Sequence, residues 1–259
     1  MSSRSIFITG AAAGIGAATA RRFAAEGWFV GLFDVDVAGV ERLAAELGAA
    51  RTIAGRLDVA DAAQWQEALA AFMARAGRLD ALVNNAGILA SGAFDSIPLA
   101  RQQAIVDVNV KGVLNGCHAA FPHLRATPGS CVVNMSSASA IYGQPSLAIY
   151  SATKFAVRGL TEALDIEWQP HGIRVMDVMP LFVQTAMVNG MDAKAIGKLG
   201  VNLGPEDVAA TILDAVTNVP RVPRVHRLVG TQAKLAYKFA GLAPDWLARL
   251  INKTLATGH

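Results

Sequence analysis

Tyr150 and Lys154 stand four residues apart, and Ser137 precedes the tyrosine by thirteen. At helical spacing the first two share one face. A phenol near its ordinary pKa of about 10 is a poor base at neutral pH. A nearby ammonium, or a bound organic cation, favours the phenolate and lowers that value. Alone, a Tyr/Lys pair at this spacing is usually only a surface or packing pair. With a serine hydroxyl at the same sheet edge it becomes an apparatus for moving a proton on or off a substrate oxygen.

The elements that must position these groups are legible as an alternation. Apolar strand-like runs at 5–9, 29–34, 52–58, 81–84, 130–136, 174–179 and 225–229 alternate with amphipathic helical stretches near 15–26, 37–48, 61–76, 99–125, 149–169 and 206–217. Most of the strands are continuous apolar runs, as a parallel sheet covered on both faces requires. No linker, repeat or low-complexity segment divides the chain. The expectation is an α/β fold, a single doubly wound domain over 1–259 with a parallel sheet. Ser137 then falls just past a strand end, where such sheets form their ligand crevice. The alternation breaks near 186–204, where Gly190, Gly197, Gly200 and Gly204 punctuate Met187, Met191 and Leu203, and a mobile lid is expected there.

Between the first strand and first helix lies Thr9-Gly10-Ala11-Ala12-Ala13-Gly14-Ile15-Gly16. Glycines let the backbone approach a diphosphate, and the helix N-terminus favours its charge. The placement makes this a dinucleotide-binding turn rather than an ordinary glycine-rich one. Asp34 closes the second strand at the distance expected for a carboxylate on the adenosine ribose. A carboxylate there accepts the 2′- and 3′-hydroxyls of NAD and repels the 2′-phosphate of NADP. No Arg or Lys in the glycine turn or directly after Asp34 offsets it. Asp36 is the rival, better suited to capping the next helix. Asp58 reaches the adenine amino group or serves as a strand-end turn residue; spacing alone leaves both open.

The sequence resembles the short-chain dehydrogenase/reductase family over nearly its whole length. The matching pieces are Thr-Gly-x-x-x-Gly-Ile-Gly at 9–16, Leu57-Asp58-Val59, Asn84-Asn85-Ala86-Gly87, Asn109, Ser137 and Tyr150-Ser151-Ala152-Thr153-Lys154. The resemblance implies a Rossmann-type fold with a seven-stranded sheet of order 3-2-1-4-5-6-7. It implies a catalytic set of Asn109, Ser137, Tyr150 and Lys154, with Asn109 maintaining a helix distortion that serves a water relay. NAD would lie against Gly10, Ala13, Gly14, Ile15, Gly16, Asp34, Asp58, Val59, Asn85, Ala86, Gly87, Tyr150 and Lys154, with Asn85-Ala86-Gly87 beside the ribose. Pro180, Val183 and Thr185 match the segment that holds the nicotinamide carboxamide and phosphate. One departure is visible: Leu181 stands where members carry glycine, which narrows or reshapes the nicotinamide side.

On this reading Tyr150 takes the alcohol proton as phenolate while Ser137 bonds the same oxygen. Lys154 lowers the Tyr150 pKa and holds the nicotinamide ribose, and a hydride passes between substrate carbon and cofactor. The substrate residues expected are Ser137, Ser139, Tyr142, Leu147, Tyr150, Leu181 and Met187, with Leu89, Phe94, Ala138, Ile141 and Met191 in the same wall. Almost no charge lies among them, while Lys194 and Lys198 fall farther along the lid. A neutral, bulky secondary alcohol or ketone is therefore expected rather than a sugar phosphate. The alternatives are a catalytically silent cofactor sensor or scaffold, and a sugar-nucleotide epimerase or dehydratase. The intact Ser/Tyr/Lys set argues against the first. The short stretch after Lys154 argues against the second.

Composition narrows the remaining classes. With 53% apolar and 17% charged residues the chain is not disordered. No apolar run reaches the roughly 18 residues that span a bilayer, and the start at Met1 lacks a signal-peptide pattern, so the expectation is cytoplasmic. A formal charge of +3 gives no case for nucleic acid, and the late cluster of Arg221, Arg224, His226 and Arg227 reads as solvated surface. Cys117 and Cys131 read as small core residues, not as a metal or disulfide pair. Residues 232–255, split by Pro244, suggest two short helices. Their apolar residues, flanked by Lys234, Lys238 and Arg249, suit subunit packing or cleft closure better than a membrane surface. The resemblance implies a homo-oligomer, a tetramer or dimer.

Overall fold

Seven runs of the chain become strands because both faces of each are covered. A computed structural model describes residues 3–185, 203–220, 222–240, 244, 246–247, 249–250 and 253–254. The strands are β1 (Ser5–Thr9), β2 (Phe29–Asp34), β3 (Thr52–Arg56), β4 (Ala81–Asn84), β5 (Cys131–Met135), β6 (Arg174–Pro180) and β7 (His226–Val229). They form one parallel sheet of order β3-β2-β1-β4-β5-β6-β7. The order reverses between β1 and β4, which opens a crevice beyond their carboxyl ends.

The helices are α1 (Gly14–Ala25), α2 (Val37–Leu47), α3 (Ala62–Ala76), α4 (Leu99–Val106), α5 (Gly112–Arg125), α6 (Ala148–Trp168), α7 (Pro205–Thr217) and α8 (Thr231–Ala240). Strand alternation sorts the core into two layers. Ile6 and Ile8 of β1 join Phe23 of α1 and Val208 and Ile212 of α7 on one side. Phe7, between them in sequence, joins Trp65 and Phe72 of α3 and Val113 of α5 on the other. Phe7 stacks on Phe33 with ring centroids 4.2 Å apart. Truncating such a buried ring to alanine costs roughly 3–5 kcal/mol.

Two differences from the sequence expectation exceed a single residue at an element's end. β3 ends at Arg56 rather than 58: Leu57 N still donates to Asp34 O, but Asp58 N turns to Gln64 Oε1, so the chain leaves the ladder there. The expected long helix 99–125 is two helices joined by a π-turn over Asp107–Lys111. Most of the expected lid lies outside the described residues, and Met187, Met191, Lys194 and Lys198 with it; Leu203 bridges Val183 beside β6. Within 232–255, α8 covers the first part, and Leu247 N donates to Pro244 O beyond it.

Cys117 and Cys131 are buried and free. The late basic cluster is corrected in part: Arg224 is exposed, but His226 and Arg227 have only 13% and 10% of their side chains exposed, each against a carboxylate. Arg221 lies outside the described residues. Among the described residues no helix is long and apolar enough to cross a membrane, and no cluster of three or more His, Cys, Asp or Glu is placed to hold a metal ion.

Candidate active site

The β1–α1 turn owes its shape to missing side chains. Gly10 and Gly14 adopt φ of +65° and +53°, where only glycine sits without strain. A Cβ on Gly16 would fall 2.1 Å from Gly10 O, so the first turn of α1 can press on the loop only as glycine. Asn85 Nδ2 donates to Thr9 O and Gly10 O at 2.8 and 3.1 Å. The backbone N–H groups of Asn85 and Ala86 donate to Thr9 Oγ1, both at 3.0 Å. The ends of β1 and β4 are thereby tied into one rim. The N-terminus of α1 has no side-chain cap, which leaves its first N–H groups to the cleft.

Asp34 stands at the rim of this turn. Its carboxylate accepts Ala12 N at 3.0 Å and Asp36 N at 3.1 Å. Asp36 instead accepts Gly39 N at 2.9 Å and caps α2. Asp58 accepts Ala60 N at 3.0 Å in a strand-end turn while also lining the cleft. Val59 O is held by Trp65 Nε1 and Asn115 Nδ2, both at 3.0 Å.

Across the cleft, β5 and α6 carry Ser137, Tyr150 and Lys154. Ser137 caps a short turn over Ala138–Ala140, its Oγ accepting Ser139 N at 3.1 Å. Lys154 Nζ, in a buried side chain, donates to Met135 O at 2.7 Å and sits 5.4 Å from the centroid of the Tyr150 ring. Burial pushes the Tyr150 phenol up to about 12, against the pull of a hydrogen bond with Ser137. Burial also pushes the Lys154 ammonium down to about 8. Of the influences on the phenol, desolvation is the largest. Desolvation outweighs a cation whose hydrogen bond is spent on a backbone carbonyl.

Asn109 is fully buried at the centre of the π-turn. Its Oδ1 accepts Ile88 N at 2.8 Å, and its Nδ2 donates to Ile88 O at 2.9 Å and to Thr153 Oγ1 at 3.2 Å. Thr153 Oγ1 in turn donates to Tyr150 O at 2.7 Å. The helix distortion that the resemblance implied is thus present, and it joins the segment that follows β4 to the Tyr150 helix.

These groups line one cleft of about 400 Å³. It runs from Asp34 and Asp58, past Gly10, Ala13, Gly14 and Ile15, over Asn85, Ala86 and Gly87, to Ser137, Ser139, Leu147, Tyr150 and Lys154. Pro180, Leu181, Val183 and Thr185 close it from above. Thr185 lies over the glycine turn, since a Cβ on Gly14 would come within 3.3 Å of its Cγ2. Gly16 and Asn109 stand behind the wall rather than in it. Tyr142, Ile141 and the exposed Phe94 fall outside the described lining, and Met187 lies outside the described residues. The sequence reading missed Val35, Leu57, Ile88, Val108, Met135, Ser136, Gln144 and Phe182. Several of these directly follow or end a parallel strand, and that position was the signal available.

A nicotinamide dinucleotide fits this site. The glycines form a cradle that a Cβ would fill, the helix end above it is uncapped, and a carboxylate waits at the far rim. A family model, short chain dehydrogenase, matches residues 4–195. The meso-2,3-butanediol dehydrogenase of Serratia marcescens is 36% identical over 213 residues, covering 80% of this chain and 84% of that one. A 3-alpha-(or 20-beta)-hydroxysteroid dehydrogenase of Mycobacterium tuberculosis is 37% identical over 207 residues, covering 80% and 74%. Among solved structures, the 3-ketoacyl-(acyl-carrier-protein) reductase of Brucella melitensis complexed with NADH superimposes with a TM-score of 0.80 at 31% identity, covering 87% of this chain and 95% of that one. The chain belongs to the short-chain dehydrogenase family. With that family it is an oxidoreductase that works on alcohol or ketone groups with a nicotinamide cofactor.

Proposed function

We propose that the protein is an NAD(H)-preferring dehydrogenase or ketone reductase for neutral, largely apolar secondary alcohols. The observation that carries the cofactor choice is the charge of the cleft. Asp34 and Asp58 line its adenosine end, and Lys154 is the one cation among the described lining residues, at the opposite end. A 2′-phosphate would meet carboxylates with no counter-charge, whereas ribose hydroxyls can donate to Asp34.

When bound, the dinucleotide supplies the hydride acceptor or donor and, when oxidised, a positive charge that favours the phenolate. The rest falls to the chain. With its phenol pushed up to about 12, Tyr150 holds its proton at neutral pH and is poised as the acid for a ketone oxygen. Alcohol oxidation needs that proton removed, so its rate rises with pH. Ser137 donates to the same oxygen, and Lys154 keeps the backbone at Met135 and the ribose side in place. Leu147, Leu181 and Phe182 exclude water at this end and offer no cation to a charged substrate. Self-association is part of the same reading: Leu114 of α5 and Phe155 and Ile166 of α6 are exposed apolar side chains.

The test is a panel of meso-2,3-butanediol, cyclohexanol, a hydroxysteroid and a charged hydroxy acid, each assayed with NAD⁺ and NADP⁺. Turnover of the neutral alcohols with NAD⁺ is expected, and Asp34→Ala should lose about tenfold or more with NAD⁺, the worth of a charge-assisted hydrogen bond. Equal efficiency with NADP⁺, or preference for the hydroxy acid, overturns the corresponding part.

A further inference from the structure

Tyr150 and Lys154 begin a series on α6 that continues at the same spacing through Arg158 and Glu162. Arg158 Nη1 donates to Ala140 O at 3.2 Å, at the end of the turn that Ser137 caps. Its Nε donates to Glu162 Oε1 at 2.8 Å, and its Nη2 lies 3.5 Å from the Tyr237 hydroxyl on α8. Glu162 Oε1 is 3.0 Å from His226 Nε2. His226 Nδ1 is 3.0 and 3.1 Å from the two oxygens of Asp177. Asp177 is fully buried in β6, directly opposite His226 of β7 in the register.

Such a chain is a poor way to gain stability alone. Apolar residues of equal volume would serve at least as well, while loss of one member leaves a buried charge unpaired. None of the four charged groups lines the cleft. What the chain reaches is the Ala138–Ala140 turn, which is also tied to α6 ahead of it by Ser136 Oγ to Lys154 O at 3.3 Å and by the hydrogen bond of Ser137 with Tyr150. We propose that Arg158, oriented by Glu162, His226 and Asp177, is a positioning residue that fixes the Ser137–Ala140 turn against α6 and keeps the Ser137 hydroxyl in register with Tyr150. This rests on the roles given to Ser137 and Tyr150 above.

The clamp depends on pH. His226 faces Asp177 from β6, Glu162 and Arg158 from α6, and the Tyr237 ring from α8; its neighbour Arg227 turns to the other face, to Asp214 of α7. Both ring nitrogens meet carboxylate oxygens, so both need protons. Burial alone would lower His226, but Asp177 and Glu162 outweigh it and hold its pKa above the ordinary 6.5, against Arg158. The contribution of the imidazolium is complete below about 6.5 and is lost as pH rises through the raised value. Glu162, with 46% of its side chain exposed, then keeps Arg158 but loses its tie to β7, and the orientation of Arg158 loosens.

Arg158→Gln, Arg158→Lys and His226→Gln test this by two readouts. One is kcat, KM and NADH affinity with the best alcohol of the panel. The other, which needs no substrate, is hydrogen exchange at the amides of Ser139, Ala140 and Ile141. Arg158→Gln is expected to lower kcat roughly ten- to a hundredfold, the scale of a misplaced catalytic group, with NADH affinity unchanged and exchange at Ala140 and Ile141 accelerated. Arg158→Lys should recover part of the rate. Loosening of the clamp should make the rise of kcat with pH level off as His226 loses its proton; His226→Gln should remove that levelling, and it carries the test if Arg158→Gln does not fold. Unchanged exchange and kcat in a folded variant overturn the proposal, as does a fall in NADH affinity equal to the fall in kcat. A wild-type protein inert towards the whole panel defeats the earlier reading instead, and the exchange data still decide this one.

Discussion

The two walls of the cleft reach their shape by opposite means. The β1–α1 wall is made by leaving atoms out: Gly10, Gly14 and Gly16 bring backbone against backbone, and added methyl groups would collide at 2.8 and 2.1 Å at the first and last. The β5–α6 wall is made by buried polar side chains, with Lys154 and Ser137 in it and Asn109 and Thr153 behind it, each tied to backbone or to one another. A wall of backbone tolerates no added volume. A wall of polar side chains tolerates volume changes but not the loss of a partner, because an orphaned buried group keeps its full desolvation cost.

The sharpest break of this comparison is Tyr150→Phe, which keeps the ring and removes one oxygen. Turnover should fall roughly 10²–10⁴-fold with NADH affinity unchanged, as steady-state rates and a fluorescence titration will show. Near-normal turnover would remove the chemistry from the side-chain wall altogether. Gly16→Ala attacks the other wall with one added carbon. Overpacking of about 1–3 kcal/mol should weaken NADH binding roughly 5- to 150-fold, and unaltered binding would mean that the loop can give way.

Lys154→Met sets function against stability. Burial holds Lys154 near 8 instead of 10.5, so between those pH values the unfolded chain binds a proton the native state lacks, and stability rises with pH across that window. Above about 10 the raised Tyr150 pulls the other way. The variant should lose the rise and gain roughly 1–3 kcal/mol at pH 7 in denaturant unfolding while losing turnover. A less stable variant would show that the bond to Met135 O outweighs the buried charge. The smallest effect belongs to Asp36→Ala, which removes the α2 cap for about 1 kcal/mol and leaves NAD preference intact. A changed preference would transfer to Asp36 the role given to Asp34.

The backbone wall was legible because its instructions are contiguous: strand, glycines and helix follow within residues 5–25, and Asp34 closes the next strand. Of the side-chain wall, Ser137, Tyr150 and Lys154 were legible from type and spacing, but their electrostatics were not. Spacing brings an ammonium near a phenol without telling that Nζ is turned to Met135 O or that both groups are desolvated. Apolar strand-end residues such as Leu57 and Met135 read as core and proved to be lining as well. His226 read as surface because its partner Asp177 is 49 residues away, and only the β6–β7 register joins them. The π-turn was implied by the resemblance and not by the pattern, because Leu99 to Arg125 keeps helical periodicity on either side of it.

That π-turn sets the phase of everything after it. An α-helix turns about 100° per residue, and a π-turn absorbs one residue more than its α counterpart. Ahead of it, α4 buries Gln102 and Ile105. Behind it, α5 sets Gly112 where a Cβ would lie 2.6 Å from Val59 Cγ2, and Gly116 where one would lie 2.3 Å from Asn84 Oδ1. Straightening the turn by removing one residue would swing α5 through about a quarter of a revolution and carry side chains into both seams. The supernumerary residue therefore acts as a gear tooth, meshing an asparagine on one helix with a glycine seam on the next. No single-codon deletion between Asp107 and Gly116 leaves both engaged.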